Sequence, residues 1–161
     1  DYAAEAVRGA DRSPFHAPYG NDAKDFFWGC LAEGCANQAT SLVCAYLLTG
    51  EKSYLTNAYR NMDYILGKNA TGYCYVTGFG MKSPLYPPHR LSASDDIEAP
   101  LPGFLVGGPN PGQQDGVPYP SNLPDESYAV VEGSYASNEI AINWSAALVA
   151  LVSSLDALMS K

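Results

Sequence analysis

One carboxylate heads an apolar run near the end of the chain: Gly133-Ser134-Tyr135-Ala136-Ser137-Asn138-Glu139-Ile140-Ala141-Ile142-Asn143-Trp144. A carboxylic acid there can give a proton to a leaving group if it faces a cleft and if burial or a neighbouring carboxylate keeps it protonated. The plainer reading is electrostatic. An acidic residue in the first turn of a helix gains a few tenths to about 1 kcal/mol from the helix dipole, and that dipole favours the ionised form, against the acid role. His89-Arg90 taken alone reads as a solvated pair, and Trp28 taken alone as a core residue. Asp95, Asp96, Glu98 and Asp115 could, with backbone carbonyls, hold a structural calcium ion, although their spacing is no EF-hand; the alternative is a solvated acidic turn.

Four cysteines, Cys30, Cys35, Cys44 and Cys74, form no Cys-x-x-Cys pair, and His16 and His89 lie far from them in sequence. A structural zinc site does not fit this pattern. Three of the cysteines fall in one expected helix and read as small core residues, with disulfides left open.

The elements that must position these groups follow from periodicity. A helix is expected from about Trp28 to Thr49, with Leu31, Cys35, Ala39, Leu42, Val43 and Tyr46 at helical spacing and Gly50 as its stop. A second runs from Ser53 to Leu66, with Leu55, Tyr59, Met62 and Leu66 on one face and Gly67 after it, so the two make a helical hairpin. The last runs from about Glu139 to Met159 through Ile140, Trp144, Leu148, Leu151, Val152, Leu155 and Leu158. A shorter helix, Tyr2 to Val7, precedes a polar loop with Pro14 and Pro18.

Between Lys68 and Ser134 lie 67 residues holding ten of the twelve prolines and nine of the fifteen glycines. Structureless loops beyond about 12–15 residues are uncommon in compact domains. Tyr73, Tyr75, Phe79, Tyr86, Phe104, Tyr119 and Tyr128 are too many aromatics for a solvated tail, so this loop is expected to be ordered and to line something.

At 161 residues and 47% hydrophobic composition the chain is globular material for one domain. A formal net charge of -8 repels a phosphate backbone and an anionic lipid surface alike, which argues against nucleic acid and membrane partners. No run approaches the roughly 18 apolar residues of a membrane span, and the first residues lack the pattern of a signal peptide. The first residue is Asp1 rather than Met, so a processed or cut chain is expected. Three or four helices cannot bury both their apolar faces and so large an aromatic loop, which makes the chain read as part of a larger helical body.

The order of motifs adds to this. Trp28-Gly29 is followed by Asp63-Tyr64-Ile65-Leu66-Gly67-Lys68-Asn69, then by Tyr75-Val76-Thr77-Gly78-Phe79-Gly80 and Pro87-Pro88-His89-Arg90. Leu105-Val106-Gly107-Gly108-Pro109-Asn110 and Asn138-Glu139 complete the series. From about Pro18 to Leu158 the chain resembles the C-terminal third of the catalytic module of glycoside hydrolase family nine, the cellulase family. The resemblance implies an all-α fold, the C-terminal part of an (α/α)6 barrel, with residues 1–161 as a fragment of one catalytic domain and the loop 68–134 lining its cleft. It implies inverting hydrolysis of β-1,4-glucans or cello-oligosaccharides, outside the cell, with no cofactor needed for the chemistry. Inversion uses an acid and a water-activating carboxylate about 6.5–9.5 Å apart.

Glu139 matches the family's acid. Its water-activating aspartates sit in an Asp-Ala-Gly-Asp motif that is absent here, so an N-terminal portion of the module is the implied partner. Asp22-Ala23-Lys24-Asp25 is similar only in letters, because it directly precedes Trp28. The resemblance makes His89 and Arg90 contacts to sugar hydroxyls and Trp28 a stacking platform for a glucose ring. Tyr135 either packs on the loop or reaches the sugar. Three departures matter: Pro88 replaces a histidine, Val130 an aspartate nine residues before the acid, and Ser145 an asparagine six residues after it. They keep two alternatives open beside an endoglucanase: an exo-acting glucosidase of the same family, and a carbohydrate-binding remnant without chemistry.

Overall fold

The computed structural model of the chain describes residues 2–94 and 97–160. Among them every regular element is helical, as expected of an all-α chain. Helix α1 (Tyr2–Ala10) runs past the expected Val7, since no proline interrupts it, and turns Ala3, Ala6, Gly9 and Ala10 inward.

The helix expected from Trp28 begins later, at Leu31. Gly29 has φ +85, a left-handed conformation that cannot continue a right-handed helix. A π-helical turn, Leu31–Ala36, opens the helix and leads into α2 (Asn37–Thr49). Gly50, with φ 72, closes α2 by donating its N–H to the Tyr46 carbonyl at 2.8 Å. Helix α3 (Lys52–Ile65) follows after Glu51, whose side chain accepts the Ser53 N–H at 3.2 Å, and it packs back on α2 as the expected hairpin.

The buried face of α3 departs from expectation. Asn57, Ala58, Asn61, Tyr64 and Ile65 point inward, while Leu55, Tyr59 and Met62 are only partly buried and Leu66 is exposed. Hydrogen bonds explain the choice. The Asn61 side chain accepts the Tyr19 N–H at 3.1 Å and donates to the Cys35 carbonyl at 3.2 Å, so the amide knits three segments.

The single helix expected from Glu139 is two. A four-residue helix α4 (Tyr135–Asn138) ends at Glu139, and α5 (Ile142–Met159) starts three residues later. Glu139 (ψ 151) and Ala141 (φ -142, ψ 151) are extended. The Glu139 carbonyl accepts the Gly107 N–H at 2.9 Å and Ile140 pairs with Val106, bonds that replace the helical ones.

The long loop is packed. Val76 pairs with Leu105 and Val106 with Ile140 in two antiparallel bridges, so three extended segments lie abreast. Tyr75, Thr77, Leu105 and Val106 are buried there, and the Tyr128 ring meets Tyr73 and Tyr75 edge-on at 5.3 Å and 4.9 Å. Leu31, Cys35, Leu42 and Ile65 join Trp144, Leu148, Leu151 and Leu155 of α5 in one core.

Val152 and the outer face of α5 stay exposed. By length and composition α5 could cross a bilayer, which corrects the expectation that no segment approaches a span; its buried stripe is nevertheless part of the core. All four cysteines are free. Cys30, Cys35 and Cys74 are buried as small core residues, and Cys44 is exposed, contrary to its expected place.

Candidate active site

Glu139 stands on the extended joint between α4 and α5, not at the start of a helix, so the expected helix-dipole argument does not apply to it. Its N–H donates to the Tyr135 carbonyl at 3.1 Å and its carbonyl takes the Gly107 N–H, which fixes its backbone on both sides. From across the chain the Trp28 indole N–H donates to Glu139 Oε2 at 2.9 Å. The Tyr135 ring lies beside Trp28, with centroids 5.5 Å apart and planes tilted by 37°. Trp28 is 37% and Tyr135 39% exposed, so both rings keep a face toward solvent while their edges are held.

Trp28 is brought to this place by its neighbour. A Cβ on Gly29 would lie 2.6 Å from Trp144 Cζ2, and one on Gly107 3.3 Å from Trp144 Cζ3, so the indole of α5 fits only because both positions lack side chains. The Leu31 N–H donates to the Gly107 carbonyl at 3.2 Å and the Cys30 thiol to the Pro109 carbonyl at 3.3 Å. Burial pushes the Cys30 thiol up to about 11, so it stays protonated and donates near neutrality. The segment 105–110 is therefore a spine with Trp28 tied to one side and Glu139 to the other.

Asn138, next to Glu139, is fully buried. It accepts the Tyr128 hydroxyl at 2.8 Å, and its amide N–H₂ donates to the Leu85 carbonyl. Burial holds the Tyr128 phenol well above its ordinary value, which keeps it a donor and fixes the orientation of the Asn138 amide. The bond to Leu85 ties the Glu139 segment to the loop that carries His89.

His89 itself is engaged within that loop. Its Nδ1 lies 2.9 Å from Ser92 Oγ and its ring 5.0 Å from the Phe104 ring. Arg90 is exposed. Among the described residues no hydrogen bond or ring contact joins His89 or Arg90 to Glu139, Trp28 or Tyr135, so the five expected site residues fall into a group of three and a pair.

A cleft of roughly 660 Å³ opens beside Tyr135, lined also by Tyr86, Pro87, Pro88, Ile97 and Glu98; Glu139, Trp28, His89 and Arg90 stand outside its lining. Pro88 contributes an apolar wall to it. Val130 is partly buried against the core. The Ser145 hydroxyl is buried without a hydrogen-bond partner, a state that costs about 1–3 kcal/mol.

Of the expected calcium ligands, Asp95 and Asp96 lie outside the described residues. Glu98 accepts the Tyr86 hydroxyl at 2.9 Å, whereas Asp115 accepts the Ala136 N–H at 2.8 Å and the Tyr119 hydroxyl at 2.9 Å. Among the described residues no three His, Cys, Asp or Glu side chains gather to hold a metal. The structural parts played by Asn138, Asp115 and Trp144 were not read from sequence. Asn138 had a signal, since it is half of the Asn138-Glu139 motif.

Comparison with known proteins fits this geometry. The family model for glycosyl hydrolase family 9 matches residues 2–152. A xyloglucan-specific endo-beta-1,4-glucanase of Bacteroides ovatus, BoGH9A, is 75% identical over 157 residues, which cover 98% of this chain and 27% of that protein. Endoglucanase D of Acetivibrio thermocellus is 36% identical over 124 residues, covering 77% of this chain and 18% of its own length. Among solved structures, Bacteroides ovatus GH9 superposes with a TM-score of 0.88 at 70% identity, over 98% of this chain and 27% of that one. AaCel9A in complex with cellobiose-like isofagomine gives 0.86 at 32%, over 99% and 30%. The chain thus spans less than a third of the relatives it matches, and its helices are part of an (α/α)6 barrel. Match over nearly the whole chain makes it a member of glycosyl hydrolase family 9.

Proposed function

We propose that this chain supplies the general acid, Glu139, and one aromatic wall of the cleft to an inverting β-1,4-glucanase. The N-terminal portion of the same module supplies the water-activating aspartates. The observation that carries this reading is the 2.9 Å bond from the Trp28 indole to Glu139 Oε2. An indole N–H donates and never accepts, so Oε2 must be an acceptor, and any proton on the carboxyl sits on Oε1. Oε1 has no hydrogen bond among the described residues and is free to meet a glycosidic oxygen. The proton then passes from Oε1 to the leaving oxygen as the bond to the anomeric carbon breaks, while water attacks from the opposite face.

The half-exposed rings of Trp28 and Tyr135 offer apolar faces to pyranose rings beside the acid. His89 and Arg90, which follow the cleft-lining Pro87 and Pro88 in sequence, are assigned to sugar hydroxyls farther from the scissile bond. Similarity to BoGH9A favours a β-1,4-glucan backbone with xyloglucan as the first substrate to try. A polymer of that size also fits a secreted protein.

Glu139→Gln in the full-length protein is expected to lower reducing-sugar release from soluble β-1,4-glucan by about 10²–10⁴-fold. Affinity for cello-oligosaccharide should stay nearly unchanged. Unchanged turnover would remove Glu139 from the mechanism. The unpartnered Ser145 hydroxyl and the changes at Pro88 and Val130 favour a second reading, a remnant that binds sugar without cleaving it. In that case the unmodified full-length protein would bind cello-oligosaccharide and release no reducing sugar.

A further inference from the structure

We propose that Asp115 is a positioning residue for Glu139, acting through α4. The inference rests on the reading of Glu139 as the general acid. A four-residue helix has almost no cohesion of its own, because nucleating a helix fixes several dihedrals for each hydrogen bond gained. The place of α4 is therefore set by what holds it from outside, and Asp115 is the charged member of that set.

Asp115 Oδ2 accepts the Ala136 N–H at 2.8 Å and the Tyr119 hydroxyl at 2.9 Å, while Oδ1 accepts the Val117 N–H at 3.3 Å. The Tyr119 oxygen also lies 3.2 Å from Ser137 Oγ, one residue along α4. Burial pushes the Tyr119 phenol up to about 12, with Asp115 adding to the rise, so the hydroxyl remains a donor at any working pH. Hydrogen bonds to a carboxylate are roughly twice as strong as neutral ones. Asp115 is the strongest tether in the described set, and it grips α4 at Ala136, one helical turn before Glu139.

The Asn110 amide donates to the Ala136 carbonyl at 2.8 Å, so the same peptide region is held from both of its polar groups. With Asp115 removed, α4 is free to shift along its remaining neutral bonds. A displacement near 1 Å at an acid can cost about 10²-fold in rate.

The test is steady-state kinetics on the full-length protein with two substrates that differ in their need for an acid. A cello-oligosaccharide leaves as a poorly stabilised alkoxide and needs the proton, whereas a dinitrophenyl cellobioside loses a stable phenolate and does not. Asp115→Ala is expected to lower kcat on the oligosaccharide about 10- to 100-fold with KM within about twofold, and to leave the dinitrophenyl substrate within about threefold. Asp115→Asn keeps a neutral acceptor for the Ala136 N–H but not the charge or the second acceptor, and should recover part of the loss. Should the alanine variant fail to fold, Tyr119→Phe, which leaves Asp115 in place, should show the same leaving-group dependence to a smaller degree.

Equal losses on both substrates, or no loss on either, would overturn the proposal. Glu139→Gln run alongside separates the two readings. If it shows the leaving-group dependence and the Asp115 variants do not, only the tether fails; if Glu139→Gln lacks it, the acid assignment fails and the tether falls with it.

Discussion

Trp28 meets Glu139 through the edge of its indole and is 37% exposed, so the two duties proposed for it are separable. Removing the N–H while keeping an aromatic ring tests the first alone. Trp28→Phe should lower kcat on cello-oligosaccharides by roughly 10-fold, the worth of one hydrogen bond to a carboxyl group, with KM nearly unchanged. Trp28→Ala also removes the proposed sugar platform and should raise KM in addition. Wild-type kcat in the phenylalanine variant would leave the indole bond without a part in catalysis. Glu139 stood out in the sequence as a lone acid at an apolar run, whereas Trp28 alone read as a core residue and Tyr135 was left between loop packing and sugar contact; only the resemblance drew the three toward one site. The contact of Trp28 with Glu139 across 111 residues was not legible, since it depends on where the spine 105–110 passes. His89 and Arg90 were legible as a pair but not as lying apart from the other three. The bonds of His89 to Ser92 and Phe104 are set by loop folding that no periodicity reveals.

The elements were read well where apolar spacing dominates and poorly where hydrogen bonds from distant segments decide. The α2–α3 hairpin came through because Gly50 is a stop signal with a physical basis. The break at Glu139 did not, because Ile140 and Ala141 suit a helix as well as an extended joint; what settles it is the pairing of Ile140 with Val106 and the Gly107 N–H on the Glu139 carbonyl. The inward face of α3 was misjudged for the same reason, since Asn57 and Asn61 are buried by their hydrogen bonds rather than by hydrophobicity. The spine that organises these bonds is itself sensitive to one methyl group. A Cβ on Gly108, where φ is +92, would lie 2.4 Å from Leu31 Cγ. Gly108→Ala is expected to destabilise the protein by about 2–4 kcal/mol, part backbone strain and part crowding. Gly50→Ala, with φ +72 and open space around its Cβ, should cost only about 1 kcal/mol, and denaturant midpoints of the two variants give the crowding share by difference. Equal costs would mean that Leu31 moves aside and that the spine is not closely packed.

On the scale of the molecule the feature that still asks for a cause is the bare apolar surface of α5. Trp144, Leu148, Leu151 and Leu155 face the core, yet Ile142 is 93% and Val149 62% exposed, and Leu48 at the end of α2 is 87% exposed. Polar faces belong on the outside of a helix that meets water, and α5 has none of useful width. The chain spans 27% of BoGH9A, and the proposed cover for this face is the rest of such a barrel. A membrane would also accept an apolar helix of this length, but it would have to share α5 with the core that already buries one stripe of it. The expected outcome follows from the barrel. The isolated chain should bind a hydrophobic dye and self-associate, and adding the N-terminal portion should quench the dye and raise Tm by several degrees as the face is covered. Val149→Lys should make the isolated chain less prone to associate and should weaken assembly with the N-terminal portion, measured as activity recovered on mixing. A chain that stays monomeric and dye-free alone, and whose assembly tolerates the lysine, would show that this face of α5 meets solvent in the finished protein.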